Sequence, residues 1–563
     1  DVINAAGASI VLEAGQIEFL NSDDITLALN NSISFTADSA AAGGGDGSIT
    51  NPGGNSFSIN TSGTGVITFG ASGLINLAGI SLNSDDAVNL TSGSSVTLGN
   101  IDAGSLAITA AGNVGHSSGL NSVIVSGQTN LNADTNAITV TLANATNDFN
   151  DVVLGGTGSF NSASLRDSTG LIIGGDAGTL TARADGGALD LTGGTYTTLN
   201  VQSNGNITQS GALTVSGVTT LAAFSAIAAD LSTAANDFGT VSLVNSGSSF
   251  TSATVSDING IGIGGAADIL TVDAGAGVIL SAGTHNTLNV TAGGAISQVG
   301  ALNVSGTTTL TSDASPITAT LNNVNNEFDT VVLQSPVGSF TTVSVTDADT
   351  AANGLTIGGD AGTLQARGAD ITLSGGNYTS LETFASSTIG QSGAVSVSGI
   401  TRLYATAADV DTTLNAAGNN FATVVLVDSG GTHNAVIIDD DVGSLIIGSA
   451  TGATSLTVNA DGPLGLSGGT YTTLNAQAQD DISQSGVLSV SGTTTLTAET
   501  NAITADLSNT SNDFGTVVLQ TATGGSFTSA AITDTNALNV GGDAGTLSAD
   551  AGGALDFTGG SYT

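Results

Sequence analysis

Apolar and polar residues alternate along this chain in short runs. Ile25-Thr-Leu-Ala-Leu29, Phe57-Ser-Ile59, Val66-Ile-Thr-Phe69, Ile80-Ser-Leu82, Val96-Thr-Leu98 and Leu106-Ala-Ile108 carry apolar side chains at every second position. That spacing sets them on one face of a β-strand. Between the runs lie Gly, Asn, Asp and Ser clusters such as Gly43-Gly-Gly-Asp-Gly47 and Asn51-Pro-Gly-Gly54, which permit positive φ and tight corners. The pattern predicts strand, corner, strand.

From about residue 113 a long repeat organises the alternation. NITQSGALTVSGVTTL, Asn206 to Leu221, returns as AISQVGALNVSGTTTL from Ala295, TIGQSGAVSVSGITRL from Thr388 and DISQSGVLSVSGTTTL from Asp481, with a worn version, NVGHSSGLNSVIVSGQTNL, from Asn113. Independent anchors measure the period. Phe149, Phe238, Phe328, Phe421 and Phe514 follow one another at about 90 residues, as do Leu131, Leu221, Leu310, Leu403 and Leu496. A Gly-Gly-x-Tyr series ending at Tyr196, Tyr378, Tyr471 and Tyr562 keeps the same phase, with His285 as its departure. A fixed period of this kind marks a stacked array. The chain thus reads as leading coils, residues 1–112, followed by the repeat body, residues 113–563.

Ninety residues is also the size of an immunoglobulin-like sandwich, so tandem sandwich domains are the competing architecture. One copy divides into four coils, Thr198 to Gly217, Val218 to Thr240, Val241 to Gly260 and Ile261 to Asn286, of 20 to 26 residues each. Strands of three to five residues with frequent bends suit such a coil. Four prolines, no tryptophan and 4% aromatics give little material for linkers or for one large aromatic core per bead. The expected fold is all-β, a right-handed parallel β-helix (β-solenoid), since parallel crossovers are right-handed. With strands about 4.8 Å apart, about 25 coils would extend roughly 120 Å. The five in-phase phenylalanines are expected to fill inward corners.

Charge narrows the partners. Four basic residues face 46 acidic ones, a net −42, and lysine is absent. A phosphate backbone is held by many Lys and Arg contacts, so nucleic acid is excluded as an expected partner, as is an anionic membrane surface. No apolar run approaches the roughly 18 residues of a spanning helix. Cysteine is absent, which removes disulfides, thiolate metal sites and a Cys nucleophile. Methionine is absent too, which suggests a processed product or a piece of a longer chain. Continuation of a longer chain and end-to-end stacking of identical subunits are both open.

The motifs QSGALTVSGVTTL, NDFGTVSL and GGDAGTL, with VTLGNIDAGSLAITAAGNVG at Val96 to Gly115, resemble the long filamentous-haemagglutinin-type exoproteins of bacteria. The resemblance covers Asn113 to Thr563. It implies a secreted or cell-surface, structural or adhesive β-helix whose partner is a host-surface or matrix glycan or protein. In that family an Asn-Pro-Asn-Gly type motif marks the secretion domain. Here Asn51-Pro-Gly-Gly54 lacks the second Asn, which leaves the secretion route open.

The alternative function is a glycan-active β-helix, a lyase or hydrolase, which needs paired carboxylates around a sugar groove. Arg166 beside Asp167 is its one candidate; Arg183, Arg367 and Arg402 share no acidic cluster and read as lone surface residues. His116, His285 and His433 are far apart and lack metal-ligand spacing. His285, in the place of a repeated Tyr, reads as a corner or surface residue. Calcium candidates are Asp176, Asp360 and Asp543 in Gly-Gly-Asp corners and the run Asp439, Asp440, Asp441. The tandem nonapeptide of calcium-binding β-rolls is missing, so these acids are expected to be turn residues, with calcium bound diffusely. The Gly-Gly pairs lack the helix and lysine of a phosphate loop. The threonine runs at Thr219, Thr307 and Thr493 recur too sparsely for an ice-binding lattice. No enzyme activity and no required cofactor are expected.

Overall fold

The computed structural model describes residues 9–20, 24–27, 30–38, 46–117, 120–314, 316–348, 354–448 and 452–562. Gly43 to Gly45 of the first Gly-rich corner and Ala28 and Leu29 of the first alternating run lie outside them. The described chain contains strands and turns and no helix, and every strand pairing is parallel. It divides into two compact units, residues 1–276 and 277–563. Each is a β-solenoid, with about 25 turns in all.

Alternation becomes burial in the expected way. In Leu213–Ala223, Leu213, Val215, Thr219 and Leu221 are buried while Thr214, Ser216 and Val218 face out. The pairing register with Asp237–Asn245 shifts between Val215 and Val218, a bulge that bends the strand around a corner of the coil. The same shift separates Val125 from Gln128, Val304 from Thr307, Val397 from Ile400 and Val490 from Thr493. The Val-Ser-Gly motif is thus a corner built into a strand. The five in-phase phenylalanines are all inside, at 4% exposure or less. Phe238 stacks on Val215 of the coil before it, so the ring fills the space inside the bulged corner.

Through most of the repeat body a coil supplies two strands, and a strand pairs with the one two places further along the chain; in the leading coils the interval is three, as for Ile10–Ala14 with Ile33–Ala37. This has a consequence for the repeat. From Thr129 the registers run to Val152, Ile173, Leu191 and Gln209, four coils on. Thr219, the equivalent of Thr129 in the next copy, belongs to the other column, reached through Val140, Ala163, Leu180 and Leu199. The 90-residue repeat therefore spans about four and a half coils where the sequence parse has four. Successive copies of one motif lie on opposite sides of the solenoid. The second unit repeats the alternation: Thr308 leads to Val331, Ile357, Leu373 and Gln391, whereas Thr401 is reached from Ala319, Val343, Leu364 and Leu381.

Candidate functional site

The most regular side-chain chemistry is internal. Asn147, Asn236, Asn326, Asn419 and Asn512, each two residues before a core phenylalanine, are fully buried. Asn236 Oδ1 accepts the Leu213 N–H at 2.9 Å, and its Nδ2 donates to the Leu231 carbonyl at 3.0 Å and to Gln209 Oε1 at 3.0 Å. Asn326 and Gln298, Asn419 and Gln391, and Asn512 and Gln484 repeat the arrangement. A second group holds the same corner. The backbone N–H groups of Phe149, Phe238, Phe328, Phe421 and Phe514 donate to Asp167, Asp257, Asp347, Asp440 and Asp534, one coil along. Each corner turns away from the strand ladder, and these side chains satisfy the amides it leaves unpaired inside. The sequence carried the signal: these Asn and Asp residues keep the period of the phenylalanines.

The calcium candidates divide accordingly. Asp176, Asp360 and Asp543 are exposed and accept the backbone N–H of Thr195, Asn377 and Ser561 on the next coil at 2.7–2.8 Å. Positive φ is carried by the preceding glycine, 104° at Gly175. In the acidic run Asp440 points inward onto Phe421, whereas Asp439 accepts from Asn459 Nδ2 and Asp441 from the Gly418 N–H. Among the described residues no group of three or more His, Cys, Asp or Glu is placed to hold a metal ion. Burial raises the Asp440 pKa to about 6, and the carboxylates of Asp441, Asp461 and Asp439 add to the effect against the Phe421 N–H, which lowers it. Burial raises Asp167 and Asp257 as well.

The three histidines each replace a different repeated residue. His116 stands where later copies have Gln, its Nε2 lying 3.3 Å from Asn147 Nδ2. His285 pairs with Val304 as Tyr378 does with Val397, and is buried. The corner or surface reading of His285 is corrected: it occupies the inward slot of the tyrosine ring. His433 pairs with Val410 as Phe340 does with Ile317, and its Nε2–H donates to the Leu403 carbonyl at 3.1 Å. Burial lowers the pKa of both His116 and His433. Their separate places in the coil bring no two of them together.

The arginines are not lone. Arg166 and Arg183 both donate from Nε to Asp185, at 2.7 and 2.5 Å. Burial pushes Asp185 up, but the two guanidiniums hold its carboxyl below the usual range. Asp167 points inward beneath the outward Arg166, so the adjacent pair builds no common site. Arg183 lies over Phe224, 4.6 Å from the ring centroid. In the second unit Arg402 Nη1 is 3.5 Å from Glu382, and Gln365 Nε2 donates to the same carboxylate at 2.9 Å. Arg367 covers one face of Phe384 at 4.3 Å, and Tyr404 stacks on the other at 4.2 Å with an interplanar angle of 6°.

Two grooves lie beside equivalent corner loops. One, of about 550 Å³, is lined by His116, Thr141, Asn144 and Arg166. The other, of about 370 Å³ in the second unit, is lined by residues of the Asn322–Val324 loop, Ser344, Gln365, Arg367 and Phe384. Neither lining includes a carboxylate.

Stacked parallel coils with recurrent corners held by buried Asn and Asp define a β-solenoid repeat protein. The chain belongs to the family described as repeats of unknown function (DUF5649), which matches residues 85–155, 174–245, 249–335, 361–428 and 451–521. Comparison with curated proteins and with solved structures returned no match.

Proposed function

We propose that the protein is a secreted or cell-surface structural element, an extended and adhesive β-solenoid without enzymatic activity. The observation that carries this reading is where the repeated residues sit. What returns in every copy is the buried corner: the Asn, the Phe and the Asp one coil on. Some outward positions vary from copy to copy, Val218 becoming Thr307, Ile400 and Thr493, although the exposed Ser216, Ser305, Ser398 and Ser491 recur. A chain whose most regular side-chain chemistry is internal is built to extend a body, with stability summed over neighbouring coils. The resemblance to filamentous-haemagglutinin-type exoproteins supports the same reading and adds the expectation of secretion.

The net charge of −42 fits this role. Diffuse calcium binding would neutralise it and let copies associate, without dedicated sites. Small-angle scattering with negative-stain microscopy tests the proposal: an elongated particle of constant cross-section is expected, and a compact globule would overturn it.

A further inference from the structure

We propose that the groove between Val324 and Phe384 binds a neutral pyranose unit of a glycan chain. The first observation is a comparison of two copies inside the second unit. Arg367, Phe384 and Tyr404 stack in register on the outward face, beside Gln365, Glu382 and Arg402. In the next copy the same six positions hold Asn459, Gln477 and Thr497 beside Thr457, Asn475 and Thr495. Of the inward neighbours, Leu364, Leu381, Thr401 and Leu403 become Leu456, Leu474, Thr494 and Leu496, while Ala366 and Thr383 become Val458 and Ala476. The coil therefore closes equally well on small polar residues, and the aromatic and charged set is not a requirement of the fold.

The second observation is the chemistry that this set presents. Val324, 71% exposed on the corner loop, lines the groove together with the half-buried Phe384 ring. Asn322, Ser344, Gln365 and Arg367 line it with amide, hydroxyl and guanidinium groups. Apolar surface with a few placed hydrogen-bonding groups is the make-up of small-molecule sites, and the volume of about 370 Å³ falls in their range. A pyranose ring offers the complement, C–H groups for Val324 and for the edge of Phe384, whose two faces Arg367 and Tyr404 cover, and hydroxyls for the polar set. The guanidinium lies over the Phe384 ring at 4.3 Å, and its planar fork can donate to two adjacent oxygens. Glu382 ties down Gln365 and Arg402. The ligand should be uncharged, because the summed negative field of a protein of net −42 opposes the approach of anions, although Arg367 is the one charged residue in the lining.

Titration calorimetry of the full chain against neutral oligosaccharides of glucose, galactose and mannose, with an oligohexuronate as the charged arm, tests the proposal. At least one neutral oligosaccharide should bind with a low-millimolar or tighter Kd. Phe384→Gln and Arg367→Asn place residues that the next copy already carries, so both variants should fold, with a small drop in melting temperature from the broken stack, and lose affinity by about tenfold or more. Asn322→Ala, on the opposite wall, should weaken binding too. Absence of neutral-sugar binding, binding unchanged in all three variants, or preference for the oligohexuronate would overturn it. The scaffold reading is tested separately by scattering and survives such a failure.

Discussion

Asn236 and Gln209, 27 residues apart, face each other amide to amide: Asn236 Nδ2 donates to Gln209 Oε1 at 3.0 Å, and Gln209 Nε2 donates back to Asn236 Oδ1. The same asparagine also satisfies the Leu213 N–H and the Leu231 carbonyl. One side chain thus ties the Leu213 strand to the paired strands that end at Gln209 and Leu231. Asn236→Ala should strand two buried backbone groups, at roughly 1 to 3 kcal/mol each. Gln209→Ala, at the half-buried end, should cost about 1 kcal/mol. Denaturant unfolding of the two variants measures the difference, and equal losses would refute the assignment of Asn236 as the centre of the corner.

The two kinds of phenylalanine should separate sharply. Phe238 is 1% exposed inside a corner, and Phe238→Ala should cost about 3 to 5 kcal/mol. Phe224, half-buried under Arg183, should cost about 1 kcal/mol on the same truncation. Thermal melts of both variants decide it.

A pH effect of unusual sign follows from Asp440. Its folded pKa of about 6 lies above the ordinary 3.8, so between those values the folded protein holds a proton that the unfolded chain releases. Stability is therefore greater on the acid side and falls as pH rises through about 6. Asp167 and Asp257, shifted the same way by burial, act in the same direction. His116 and His433, lowered from 6.5 by burial, oppose this as pH falls, so the Asp440 contribution is read against Asp440→Asn: the parent should gain melting temperature relative to that variant as pH is lowered from 7 towards 5. Asp440→Asn keeps an acceptor for the Phe421 N–H; a parent that gains nothing relative to this variant between pH 7 and pH 5 would contradict the account.

Thr129, Thr219, Thr308, Thr401 and Thr494 are fully buried at equivalent places, and their hydroxyls have no hydrogen-bond partner. Their register partners are Val152, Val241, Val331, Val424 and Val517. Valine has nearly the shape of threonine without the buried hydroxyl, whose desolvation costs about 1 to 3 kcal/mol. Thr219→Val should accordingly raise the melting temperature, and a drop would show that the hydroxyl is satisfied in solution.

Calcium gives the last measurement. If the acids act as a diffuse field, millimolar calcium should increase light scattering gradually, and removing Asp176, Asp360 or Asp543 singly should leave the titration curve unchanged. A saturable, stoichiometric transition lost in one variant would instead identify a dedicated site.

The sequence by itself determined the strands, the period and the inward phenylalanines, because apolar alternation and in-phase aromatic residues are local properties of the chain. It also showed which residues share a phase. What it left open was decided by contacts between residues about 20 positions apart. The number of coils in one period depends on how many residues each bulged corner consumes, and the registers put Thr129 and Thr219 in different columns. Nor could composition tell an inward Asn or Asp from a turn residue. Asn236 and Asp440 are tolerated inside because the next coils bring amides and carbonyls within hydrogen-bonding distance. His285 and His433 read as isolated polar residues until the stacking set them in the slots of a tyrosine and a phenylalanine. Arg367, Phe384 and Tyr404, separated by 17 and 20 residues along the chain, became one continuous stack only when three coils were laid in register.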